Sequence, residues 1–103
     1  MSKEKEIVCY HVSNIANREF ILENGLIPQA KTEGLIKYEP RVFFSIDKDR
    51  LGFDYVDYSN VDVWKFKISA EFVKRDENTS FKCFCYTNQK IEKNQIELVD
   101  TVL

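Results

Sequence analysis

The sequence predicts an α+β fold with one or two short helices and a largely antiparallel second half. Residues 61–69 alternate, with Trp64, Phe66 and Ile68 set between Lys65 and Lys67, which is the period of a half-buried strand. Residues 15–24 are bounded by helix signals: Ser13 or Asn14 offers an N-cap, Gly25 a left-handed exit, and Pro28 prevents continuation. Beyond residue 60, further apolar runs at 81–87 and 95–99 are joined by short polar stretches.

Taken in order, residues 7–12 form the first strand. Ile7, Cys9 and His11 face one way and Val8, Tyr10 and Val12 the other, so both faces are mostly apolar, as in a central strand. His11 falls near its end. The helix follows, with apolar residues Ile15, Ala16, Phe20, Ile21 and Leu22 spread round its circumference. Leu26 is placed to pack back onto Phe20 or Ile21. Residues 29–40 are polar and irregular, long for a connection in a small domain. Residues 41–46 make the next strand around Val42, Phe43 and Phe44. Residues 47–51 offer a helix start that Gly52 weakens, and residues 54–58 form an acidic, aromatic surface. Residues 74–78 read as a charged turn after the half-buried Phe72 and Val73.

A chain of 103 residues, 44% apolar with eight Phe, five Tyr and one Trp, suits a single globular domain spanning 1–103. Its net charge of -2 excludes a nucleic-acid binder that works by bulk positive charge. The charged N-terminus followed by no long apolar run leads us to expect a cytoplasmic protein without membrane spans. Three cysteines, Cys9, Cys83 and Cys85, then imply reduced thiols. Their convergence with His11 on a metal is the lesser reading; small buried hydrophobes on neighbouring strands is the better one.

The chemistry-bearing set is small. His11 is the only histidine, and it is followed by Ser13 and a capped helix whose N-terminal amides favour anions. Tyr38 and Arg41 lie on and just after the long loop, and a planar guanidinium suits phosphate or carboxylate. Arg41 paired with Glu39 on the surface is the plainer alternative. Phe43 and Phe44 are adjacent, so they face opposite sides of the sheet; core for both is the default reading, and one of them lining a cleft wall is the alternative. There is no nucleophile elbow and no glycine-rich phosphate loop. Lys82, Lys90 and Lys93 with Phe84 and Tyr86 read as a solvated strand face.

Three segments resemble the ADP-ribosyltransferase superfamily: Tyr10-His11-Val12-Ser13 with the helix end Ile21-Leu22-Glu23-Asn24-Gly25-Leu26-Ile27-Pro28, then Arg41-Val42-Phe43-Phe44-Ser45, and the closing run from Ile91 to Val99. Their order and spacing match over nearly the whole chain. The resemblance implies split β-sheets around a cleft that holds NAD as substrate, with a protein or nucleic-acid acceptor. It implies that His11, as the catalytic-site histidine, positions a ribose beside Ser13. It further implies that Arg41, with Tyr38 near it, holds the diphosphate, and that Phe44 or Phe43 stacks near nicotinamide with Ser45 following. Members of the superfamily carry a Glu where this chain reads Thr79-Ser80-Phe81-Lys82-Cys83, and Glu71 and Glu97 lie in other registers. The resemblance therefore implies nucleotide binding more directly than NAD cleavage. A non-catalytic nucleotide- or protein-binding module on the same fold is the alternative function.

Overall fold

The computed structural model describes residues 5–28, 32–33, 36–37, 39–51, 60–77 and 79–103. Strand β1 is Glu6–Asn14, helix α1 is Arg18–Asn24, and β2 (Thr32–Glu33) and β3 (Ile36–Lys37) make a small ribbon. Strand β4 is Val42–Ser45, β5 is Val61–Ser69, β6 is Lys74–Arg75, β7 is Phe84–Thr87 and β8 is Ile96–Val102. Six of these strands hydrogen-bond in the order β6-β7-β4-β1-β5-β8, every neighbouring pair antiparallel. The α+β class read from the sequence holds at this level. Among the described residues no helix is long and apolar enough to cross a membrane.

β1 is paired very unequally. It meets β5 in nine consecutive register pairs, from Glu6 opposite Ser69 to Asn14 opposite Val61. It meets β4 in a single pair, Tyr10 opposite Ser45. The two halves of the sheet therefore part beside the last residues of β1. On β5, Trp64, Phe66 and Ile68 are buried while Lys67 is exposed, as the alternation requires; at Val61, Asp62 and Val63 both faces are covered.

The core lies on the Cys9 face of the sheet. Cys9, Val42, Phe44, Trp64, Phe66, Ile68 and Cys85 pack there against Ile21, Leu26 and Ile91. Phe44 meets Phe66 edge to face with ring centroids 5.4 Å apart, a favoured aromatic geometry. All three cysteines are free thiols, Cys9 and Cys85 buried and Cys83 partly so. Burial, with Cys85 nearby, pushes the Cys9 thiol up to about 12, so it behaves as a small hydrophobe.

Helix α1 is shorter than the pattern suggested. Asn14 Oδ1 accepts from the Ala16 amide at 2.9 Å, and the first turn, Ile15–Asn17, is a 3-10 helix. Only Ile21 of α1 is buried; Phe20 and Leu22 are exposed. Gly25 ends the helix at φ 78 and ψ -164. Leu26 and Ile91 then exchange two backbone hydrogen bonds of 2.9 Å, clamping the exit to the far side of the fold. A side chain at Gly25 would collide with the Ile91 carbonyl oxygen.

A buried ion pair holds the start of the helix to the sheet. Asp62 is fully buried. Arg18 grips it in a fork, Nε to Oδ2 at 2.9 Å and Nη2 to Oδ1 at 2.6 Å. Thr101 on β8 donates to Oδ1 at 2.8 Å. The hydrogen bonds from Arg18 hold the Asp62 carboxyl below its usual range, against the opposing effect of burial.

Three expectations are corrected. Residues 81–83 form a turn rather than the start of a strand, with the Phe84 amide turned back to the Phe81 carbonyl at 3.4 Å. Lys74 and Arg75, expected in a charged turn, form an edge strand against Tyr86 and Cys85. Residues 47–50 make a turn instead of a helix, with the Asp47 side chain accepting from the Asp49 amide at 2.9 Å. The acidic, aromatic stretch at 54–58 lies outside the described residues.

Gly25→Ala is expected to destabilise the protein by about 2–3 kcal/mol in urea unfolding, since the conformation is open essentially to glycine alone. Arg18→Gln is expected to move acid unfolding to higher pH. A carboxyl depressed in the folded state contributes stability that is present above its unfolded value and lost as pH falls through the folded one. Removing Arg18 narrows that difference, and circular dichroism against pH reads the shift.

Candidate functional site

The parting of β1 and β4 leaves backbone groups that a continuous ladder would have joined. His11 fills part of the gap. Its Nδ1 lies 2.6 Å from the Phe43 carbonyl oxygen. A carbonyl only accepts, so Nδ1 carries the proton and Nε2 keeps its lone pair in the neutral ring. Burial pushes the imidazole below its usual 6.5, opposed in part by the bond to Phe43, so the ring is neutral at pH 7.

Beside this bridge lies a cleft of about 360 Å³. His11 and Ser13 line it from β1; Arg41, Val42 and Phe43 line it from the start of β4. Asn17, Phe20 and Ile21 close it from the helix, and Gly25, Leu26 and Ile27 from the helix exit. Phe20, Ile27 and Phe43 are all exposed, so large apolar groups border the opening.

The sequence-derived site residues divide clearly. His11, Ser13 and Arg41 border one concavity. The choice between the two phenylalanines falls to Phe43: it lines the cleft, whereas Phe44 is a core residue on Phe66. Ser45 also lies elsewhere. It is buried, and its hydroxyl donates to the Asp47 carbonyl at 3.0 Å while accepting from the Asp47 amide at 3.1 Å. It closes the turn after β4. Tyr38 lies outside the described residues.

Apart from Asn17, whose side chain makes no capping hydrogen bond, the polar side chains of the cleft have internal partners. The buried Trp64 indole donates to Ser13 Oγ at 2.8 Å, which fixes the oxygen and leaves the hydroxyl proton to donate. Arg41 is already engaged. Its Nε and Nη2 donate to Glu39 Oε1 at 3.2 and 2.9 Å, and its Nη1 to Glu77 Oε1 at 3.2 Å. One face of its guanidinium lies 3.9 Å from the centre of the Tyr86 ring. The surface pairing with Glu39 weighed from the sequence is thus present, joined by Glu77.

Sequence reasoning passed over Asn17, Phe20, Ile27, Glu77 and Trp64. One signal pointed to the first group: a short helix with apolar residues all round cannot bury every one, and the remainder must face a groove or solvent. Nothing local marks Glu77 or the Trp64 contact, since each partner is more than thirty residues away. Among the described residues, no three His, Cys, Asp or Glu side chains converge as a metal site. Comparison with family models, curated proteins and solved structures returns no match to this chain.

Nitrogen NMR of His11 is expected to show the Nδ1–H tautomer at pH 7 and titration below the usual imidazole range. Because this pKa is lowered on folding, the ring contributes stability that is complete above about pH 6.5 and declines as pH falls toward the folded value. A ring titrating above that range would contradict the burial of the imidazole, since the bond to Phe43 by itself acts upward.

Proposed function

We propose that the chain is a small ADP-ribosyltransferase-like domain whose cleft binds NAD or a related nucleotide, acting as a binding module. The supporting observation is the meeting of His11, Ser13 and Phe43 around one cleft where the sheet parts. An exposed ring, an imidazole lone pair and an oriented hydroxyl suit a base and its sugar. A concavity with apolar walls and a few convergent polar groups is the usual form of a small-molecule site.

The transferase reading, which adds an acceptor such as a protein or nucleic acid, requires negative charge near the ribose as its bond to nicotinamide breaks. Glu71 lies in the exposed turn Ala70–Phe72 and Glu97 is exposed opposite Lys65 on β5. Neither lines the cleft. Glu77 comes nearer, but its carboxylate is committed to Arg41. For these reasons the binding reading takes precedence.

Calorimetry with NAD is expected to show saturable binding that Phe43→Ala weakens by about 1–2 kcal/mol, the value of a ring stack. Nicotinamide release from NAD is expected to stay at the background rate. Absence of binding at millimolar NAD would end this reading, and rapid release would restore the transferase one.

A further inference from the structure

The cleft's donors are largely spent on the protein itself. Among the described lining residues Arg41 is the one cation, and all three of its guanidinium nitrogens point at carboxylate oxygens. Its side chain is only 14% exposed, against 46% for Glu39 and 60% for Glu77. One positive charge thus stands inside two negative ones. At the helix start, the Ala16 amide is taken by Asn14 Oδ1 and the Ile15 amide by the Asn60 carbonyl. His11 Nδ1–H is taken by the Phe43 carbonyl. What the cleft still offers is the Nε2 lone pair, the Ser13 hydroxyl, the neutral carboxamide of Asn17 and the exposed ring of Phe43.

A phosphate group only accepts hydrogen bonds and carries negative charge. Here it would meet a lone pair on His11 and two carboxylates around Arg41, and would have to displace them. A sugar hydroxyl or an exocyclic amine can donate to Nε2, and a hydroxyl can also accept from Ser13. We infer that this cleft recognises the uncharged nucleoside portion of its ligand, a base with its ribose, and that Arg41 with Glu39 and Glu77 selects against phosphate. This inference rests on the proposed nucleotide-binding reading and names what that site reads.

The arrangement also assigns Arg41 a different part. Stacked on Tyr86 and tied to Glu39 and Glu77, it braces the strand entry to the segment that precedes β7. The carboxylates, more exposed than the guanidinium, face an incoming anion first.

Isothermal titration of the full chain with adenosine and with ADP-ribose, at one fixed ionic strength, tests this. Adenosine is expected to bind within about threefold of ADP-ribose. The double variant Glu39→Gln with Glu77→Gln frees the guanidinium. It is expected to tighten ADP-ribose binding by about threefold or more, the scale of exposed charge pairs, and to leave adenosine binding unchanged. Circular dichroism confirms that the variant is folded. ADP-ribose binding more than tenfold tighter than adenosine in the unaltered protein would overturn the inference while sparing the nucleotide reading. An unchanged ADP-ribose affinity in the folded double variant would overturn it too. Failure of both probes to bind would overturn the nucleotide reading and the inference with it.

Discussion

Strand β1 is bonded along its whole length on one side and at one position on the other. This inequality organises the molecule. Nine pairs with β5 make a stiff central ladder on which Cys9, Trp64, Phe66 and Ile68 build the core. One pair with β4 leaves the other half of the sheet free to turn away. Backbone groups released by the parting must find other partners or water. His11 meets the Phe43 carbonyl, and the space that remains is the cleft. Had the β1–β4 ladder continued past Tyr10, His11 would be one more core-facing residue of a closed sheet.

The helix is held over this opening by contacts distant in sequence. Arg18 reaches Asp62 on β5 and, through Thr101, the edge strand β8. The helix exit is clamped by Leu26 and Ile91. Between those two fastenings only Ile21 of the helix is buried, which leaves Phe20 to border the cleft. Burying a carboxylate is costly unless it is paired and fully hydrogen-bonded, and Asp62 has both Arg18 and Thr101. That pair fixes position more than it adds stability.

Much of the architecture was legible from local pattern. The strand expected over 41–46 lies within one residue of Val42–Ser45 at each end, and the central strands and the Gly25 stop signal agree to within one or two residues, because period and turn chemistry are local properties. Lys74–Arg75 was not legible as a strand: its apolar content is nil, and it joins the sheet only because β7 offers it an edge. At the cleft, the strand-end position of His11 and the Phe43–Phe44 alternation were visible, while the choice between the two rings needed the register with β7. Arg41 shows the limit most plainly. Its residue type announces anion binding, but Glu77, thirty-six positions away, has already supplied the anion. Charge satisfaction across such a span is a property of the folded chain.

The slip in register between β5 and β8 carries a further consequence. Val63 faces Asp100 and Trp64 faces Leu98, so Val99 is an extra, exposed residue in a strand whose outer side has no neighbour in the sheet. Seven residues of regular edge would be a ready template for another chain, and a bulge that kinks the pleat spoils the match. At the opposite margin β6 is two residues long, and both are basic and exposed. A sheet that parts in the middle is thus guarded at both rims against the self-association that free strand edges invite.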